Sequence, residues 1–262
     1  MVNLTDIAAR VKLATLSTSC WRATRLHRAE TRVENTRHNT GEAARVLTRV
    51  CRHPALKQIA SLHQQAYQEH IRLTLPSAQD TMRMLAAGRE FEHAEKMRRF
   101  GEKHQVLTDS FLCDYPAERA SAPARLNSLH DPAMWPSDGE IASKFGFATR
   151  YLGCPVTGEW VDWLAESVRL GEAELGGRLC DVLTRIADRC SASGRLYETV
   201  FSDLADLLSL VPDLDLSGRF APVAAAAQGL GALKVDIVRD NDRVREQAAN
   251  QANRIVEMLG GL

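Results

Sequence analysis

Between Cys20 and Lys57 the chain carries nine Lys/Arg against three Glu. Arg22, Arg25, Arg28 and Arg32 step by three, three and four. On a helix, at about 100° per residue, they would share one face covering roughly a third of the circumference. Glu30 and Glu34 would point elsewhere, and Arg45, Arg49 and Arg52 repeat the spacing on the next segment. A guanidinium donates two hydrogen bonds in a fixed fork, which suits phosphate oxygens. A row of such groups can follow a nucleic-acid backbone. The competing reading is a solvated helix face, or one that pairs with acidic residues elsewhere in the chain. Trp21 is the one aromatic of this stretch, so little is offered for base stacking.

Other chemistry is sparse. Glu90-x-x-His93 has the spacing of a di-iron bundle ligand pair, but it occurs once where such centres need it twice. His93 reads equally well as a surface residue beside Glu90 and Glu95. His63 and His70, seven apart, read as part of a polar helix face. Gly229-Leu230-Gly231-Ala232-Leu233-Lys234 is glycine-rich but lacks the Gly-Lys-Ser/Thr ending of a phosphate-binding loop. Asp240-Asn241-Asp242 lacks the glycine and final Glu of a calcium loop and reads as a solvated helix face. There is no Gly-x-Ser-x-Gly elbow and no His-Glu-x-x-His. The expectation is a protein more suited to binding than to catalysis, with no cofactor and no metal. Six scattered cysteines without a Cys-x-x-Cys pair read as reduced thiols.

The elements that must position these residues read as helices. A first is expected from Thr5 or Asp6 to about Val33, through Ile7, Val11 and Ala14, with a turn over Asn35–Gly41. A second spans 42–52, and a third spans 55–73, before a break at Leu75-Pro76-Ser77. The clearest covers 89–114, where Phe91, Ala94, Met97, Phe100, His104, Leu107 and Phe111 recur at steps of three or four. Prolines over 116–137 mark a connector. Within it, Ser137-Asp138-Gly139-Glu140 resembles a capping box that opens a short helix over 138–151. Helical pattern resumes from Trp160 to about Arg189 and from Leu196 to Val211, where Pro212 stops it, and Asp213–Leu216 forms a loop. A last helix spans 222–259. Its Val235, Val238, Asp242, Arg245, Ala249, Ala252, Val256 and Leu259 alternate steps of three and four, a heptad register. The fold class expected is all-α: an elongated bundle of long antiparallel amphipathic helices with a Pro-rich connector near the middle.

Charge divides along the chain. Residues 1–110 hold 18 Lys/Arg against 11 Asp/Glu, and residues 111–262 hold 15 against 22. The expected divisions are a basic helical region over 1–115, a connector over 116–159 and an acidic helical region over 160–262. With 45% hydrophobic residues and no apolar run of about 18, the chain reads as a globular protein without a membrane span. The N-terminus shows no secretory signal, which points to the cytoplasm. The 89–114 stripe and the 235–259 heptads suggest a homo-oligomer.

Several punctuating motifs occur in a characteristic order. They are His70-Ile71-Arg72-Leu73-Thr74-Leu75-Pro76, Arg83-Met84-Leu85 and Phe111-Leu112-Cys113-Asp114-Tyr115-Pro116. Trp135-Pro136, Lys144-Phe145-Gly146-Phe147 and Val211-Pro212-Asp213-Leu214-Asp215 follow. The order resembles a family of helical proteins of bacteriophages and integrative elements described only as a domain of unknown function. In that family an aromatic follows Thr-Leu-Pro, where this chain has Ser77. The resemblance implies a bacterial host and a role beside DNA metabolism or an AAA+ ATPase, and it carries over no catalytic residue. The leading expectation is a non-enzymatic protein that self-assembles and binds DNA or RNA through Arg22, Arg25, Arg28, Arg32, Arg45, Arg49 and Arg52. The alternatives are an adaptor for an AAA+ ATPase or a host protein, without nucleic-acid affinity, and a structural virion protein.

Overall fold

The computed structural model describes residues 3–26, 28–39, 41, 43–155, 158, 160–191 and 199–261. In chain order, α1 (Leu4–Arg10) leads into β1 (Val11–Ser19) and β2 (Thr24–Leu26). Next come α2 (Arg28–His38), β3 (Leu47–Arg49), α3 (Pro54–Leu73), β4 (Thr74–Pro76) and β5 (Arg83–Ala86). A long α4 (Glu90–Leu126), a short α5 (Asp138–Ala142) and β6 (Gly146–Gly153) follow. The chain ends in α6 (Trp160–Ser191), α7 (Thr199–Leu214), α8 (Ala221–Gly231), α9 (Val235–Arg239) and α10 (Asp242–Gly260). Helix accounts for 70% of the structure, yet a four-stranded antiparallel sheet, in the order β4-β5-β1-β6, and a two-stranded sheet, β2-β3, correct the all-α expectation.

The first expected helix fails at Val11. Ile7, Val11 and Ala14 have helical spacing, but the sequence from Val11 to Ser19 contains one Val, two Thr and two Ser, poor helix formers. Val11 and Leu13 are buried two residues apart, as a strand requires. Tertiary pairing then decides the matter, because Val11, Leu13 and Ala14 sit opposite Ala86, Met84 and Arg83 of β5. Asn3, rather than Thr5 or Asp6, caps α1, its side chain accepting from Thr5 N at 3.1 Å.

The connector is also corrected. Pro116 and Pro123 lie inside α4, which continues to Leu126. Both prolines are exposed, while Tyr115 and Ala122 beside them are buried and hold the helix to its core. A carbonyl that loses its partner on the solvent side is hydrated at modest cost. Pro212 is accommodated in α7 in the same way, between buried Val211 and Leu214. The capping box at Ser137 is present: Ser137 Oγ accepts from Glu140 N and Glu140 Oε2 accepts from Ser137 N at 2.9 Å. It opens only α5, after which Phe147, Thr149 and Tyr151 enter β6. The expected start of a helix at Leu196 lies outside the described residues.

The chain forms two compact units that interleave in sequence, in place of three consecutive blocks. One comprises residues 1–15, 71–93 and 150–262, and the other comprises 16–70 and 94–149. In the first unit α6 is the central helix, with α7 and α10 packed against it, and α8 against α7 and α10. Its core is aliphatic, with Leu175, Leu179, Leu183 and Ile186 of α6 against Ala249, Ala252 and Ile255 of α10. Val235, Val238, Ala249 and Ala252 of the heptad stripe are thus consumed inside the unit, whereas Asp242 is exposed and Val256 and Leu259 are half-buried. The expected 222–259 helix is divided into three, because Asn241 caps a new one by accepting from Arg243 N and Val244 N. Arg178 clasps the end of α3, donating to Ile71 O at 3.0 Å and Thr74 O at 2.9 Å while pairing with Glu174. Arg83 joins the same carboxylate at 2.9 Å. Ser77, where the resembled family has an aromatic, donates to Met82 O at 2.9 Å and closes the β4–β5 turn.

The second unit has an aromatic core. Trp21 meets Phe111, Tyr115 and Trp135 at ring separations of 6.1, 5.8 and 5.6 Å. The buried line of α4 runs through Met97, His104, Thr108, Phe111, Tyr115 and Ala122. Met97, His104 and Phe111 of the expected stripe lie on it, whereas Phe91 is 84% exposed.

Candidate nucleic-acid interface

Of the arginine stretch only Arg28 and Arg32 share a helix face. Arg25 lies on β2, Arg28 and Arg32 on α2 and Arg49 on β3, while Arg22, Arg45 and Arg52 lie in the connecting backbone. The β2-β3 ribbon is antiparallel, pairing Thr24 with Arg49, Arg25 with Thr48 and Leu26 with Leu47. Directly paired residues project to the same side, so Arg49 and Arg25 fall on opposite faces. Arg25 pairs with Asp131. Val50 N donates to Ala23 O at 2.8 Å just beyond the ladder, with Arg22 and Arg52 in the flanking backbone.

From Ala44 to Arg49, half-buried and exposed residues alternate, with Arg45, Leu47 and Arg49 exposed. The period of two places these three on one face. α2 is fastened to the same segment. Val46 N donates to Thr31 Oγ1 at 2.9 Å, Ala44 N to Asn35 Oδ1 at 2.8 Å, and Asn35 Nδ2 to Ala44 O at 3.1 Å. Thr31, Asn35, Arg28 and Arg32 lie within an arc of about 100° on α2. The helix face that carries Arg28 and Arg32 therefore adjoins the side chains that grip either side of Arg45. The structure gathers Arg28, Arg32, Arg45 and Arg49 around one strand and separates Arg25 from them.

Arg22, Arg28, Arg32, Arg45, Arg49 and Arg52 are all exposed, and none makes an ion pair among the described residues. Arg83, Arg89, Arg98, Arg119, Arg125, Arg178 and Arg219 each hold a carboxylate. The unit that carries the arginine group has 16 Lys/Arg against 12 Asp/Glu, and the other unit has 17 against 21. The imbalance is thus +4 against −4 rather than the +7 against −7 of the linear halves.

The ribbon is anchored from below. Arg125 donates to Val50 O at 2.9 Å, and His53 lies 3.0 Å from Asp114 and against the Phe111 ring. Burial pushes the Cys51 thiol up, away from nucleophilic behaviour, and pushes the Tyr115 hydroxyl up to about 12 while it donates to Pro136 O at 2.7 Å. Neither is poised for chemistry. Trp21 is half-buried against this aromatic core.

Three histidine readings are corrected. His93 is fully buried rather than at the surface, with Nδ1 2.7 Å from the Tyr151 hydroxyl. His70 is also buried. His63 stacks on His104 at 5.0 Å, and the Nε2 atoms of both are buried without a hydrogen-bond partner. Among the described residues no group of three or more His, Cys, Asp or Glu is placed to hold a metal ion. Asn241 caps a helix rather than sitting within a solvated face.

Thr31, Asn35 and the Leu26–Leu47 pair stood outside the expected site. The alternation from Ala44 to Arg49 was the available signal, masked by the three-and-four spacing of the arginines. No helix among the described residues is long and apolar enough to cross a membrane. No family model matches the chain, and no curated protein or solved structure matches it.

Proposed function

We propose that the β2–α2–β3 segment is a nucleic-acid-binding surface. Arg28, Arg32, Arg45 and Arg49 form its centre and Arg22 and Arg52 its end. The carrying observation is that six exposed arginines of one short segment make no ion pair among the described residues. Arginine forks suit phosphate, and Trp21, the aromatic beside the segment, is packed against Phe111, Tyr115 and Trp135, which argues for backbone contacts over base stacking. Arg25 is left out of the proposed set, since Asp131 already neutralises it. Self-assembly is not part of the proposed role, because Met97, Phe111, Ala249 and Ala252 of the two stripes that suggested it are already buried. The resemblance to bacteriophage and mobile-element proteins fits a role beside DNA in a bacterial cytoplasm.

Fluorescence anisotropy with a short DNA duplex and the matching single strand tests the reading. Log affinity should fall linearly with log salt, by about 0.9 per phosphate contacted on duplex. Changing Arg28, Arg32, Arg45 and Arg49 together to Glu should weaken binding more than about tenfold at constant fold and flatten that slope. Equal binding by this variant overturns the surface. One observation favours an adaptor as the second reading: Leu26 and Leu47, paired across the ribbon, are 39% and 60% exposed beside Arg49. An acidic protein partner retained after nuclease treatment, and lost in Leu47→Glu, would support that reading instead.

A further inference from the structure

Among the described residues, β2 and β3 pair with each other and with no further strand. Two paired strands lie about 4.8 Å apart, so the ribbon is narrow. Its register assigns the pairs Thr24–Arg49 and Leu26–Leu47 to one face and Arg25–Thr48 to the other. The second face is engaged, for Arg25 pairs with Asp131 and Thr48 is half-buried. The first face is open on both strands, with Thr24, Leu26, Leu47 and Arg49 all exposed. A solvated strand face is ordinarily polar, yet two leucines stand directly opposite each other on this one.

The cationic surroundings select what covers that pair. Arg45 and Arg49 flank Leu47 along the strand, and α2 brings Arg28 and Arg32 beside the same segment. None of these four makes an ion pair among the described residues. An apolar centre bordered by unpaired cations is complementary to a target with an apolar spot bordered by phosphates. The major groove of B-form DNA is such a target. It is about 12 Å wide, it admits a two-stranded ribbon, and the thymine C5 methyl projects into it. The minor groove, about 6 Å wide, is too narrow for a ribbon. In an A-form RNA helix the major groove is deep and narrow, and uracil has no methyl group. Single strands are held largely by stacking on aromatic rings, and this ribbon face has none.

We propose that the Leu26–Leu47 face of the ribbon enters the major groove of duplex DNA and lies against thymine methyl groups, while Arg28, Arg32, Arg45 and Arg49 hold the phosphates that border the groove. This inference rests on the reading of the basic segment as a nucleic-acid-binding surface. It adds which nucleic acid, which groove and which base group are recognised.

The test is fluorescence anisotropy of the full chain with four probes of one A·T-rich, non-self-complementary sequence. They are a DNA duplex of about 20 base pairs, or two helical turns, the matching RNA duplex, one DNA strand alone, and the DNA duplex with uracil in place of thymine. The DNA duplex should bind at least about tenfold tighter than the RNA duplex or the single strand. Uracil removes the methyl groups alone and should weaken binding about fourfold for each methyl contacted. Leu26→Ala with Leu47→Ala should abolish the thymine–uracil difference at an unchanged salt slope, because the phosphate contacts persist. Amide protection of Val50, which donates to Ala23 O, reports whether the ribbon is intact in that variant. The thymine–uracil comparison itself uses the parent chain and stands whatever the variant does. Equal affinity for the thymine and uracil duplexes, or an RNA duplex or single strand bound as tightly as the DNA duplex, overturns this inference and leaves the arginine surface standing. Binding of none of the four probes overturns both and assigns the leucine pair to a protein partner.

Discussion

The stacked His63 and His104 rings show how an unpaired polar group becomes a pH liability. Burial, reinforced by the proximity of His104, lowers the His63 pKa from 6.5 to about 4, and burial lowers that of His104. The unfolded chain takes up protons below about pH 6.5 that the folded chain refuses. Stability is therefore full above that pH and declines as pH falls toward 4. Thermal melting from pH 7 to pH 4 should show this acid limb, and His63→Leu should flatten it without lowering the neutral melting temperature. An unchanged limb would remove the pair as its cause. Gly171 makes the opposite point about close packing. A Cβ there would approach Met84 Cε to 3.0 Å and Leu75 Cδ1 to 3.1 Å. Gly171→Ala should cost about 1–3 kcal/mol by denaturant unfolding, despite the better helix propensity of Ala.

At the scale of elements, side chains hold short pieces that could not persist alone. Three-residue strands and an eleven-residue helix are marginal in isolation. Thr31 and Asn35 supply three hydrogen bonds between α2 and the 44–46 segment. Thr31→Val with Asn35→Ala should remove about 1 kcal/mol per bond and speed amide exchange at Ala44 and Val46, leaving α3 protected. Uniform protection in the double variant would show that the ribbon is held otherwise. The Arg178–Glu174–Arg83 clasp is a less exposed case, where removing Arg178 leaves Glu174 paired with Arg83 but takes the donors from Ile71 O and Thr74 O. Arg178→Met should cost about 1–3 kcal/mol and be detected as a shift in urea midpoint without a change in slope.

Across the whole molecule, the interleaving of the two units sets the expectation for truncation. Fragment 1–115 contains α1, β4 and β5 but lacks α6, leaving Ile7, Leu13, Leu75 and Met84 without the core they enter. That fragment should show no cooperative unfolding transition by circular dichroism, whereas the full chain should.

The sequence by itself determined the long helices and the location of the charge. α3, α4 and α6 extend over many turns, so a 3.6-residue period repeats often enough to identify them, and the capping box at Ser137 is a local interaction between residues three apart. The basic stretch from Cys20 to Lys57 was legible for the same reason, since composition does not depend on folding. Tertiary structure decided everything that rests on distant partners. Val11 to Ala14 became a strand because β5 lies alongside, though its apolar spacing also fits a helix. Pro116 stayed within α4 because Tyr115 is held in an aromatic core built by Trp21 and Trp135. Which arginines are paired was likewise invisible in the sequence. Arg25 finds Asp131 more than a hundred residues away, while Arg28, three residues further on, finds no carboxylate among the described residues. Ion pairing depends on separations of a few ångströms, and only the folded chain sets those between residues far apart in sequence.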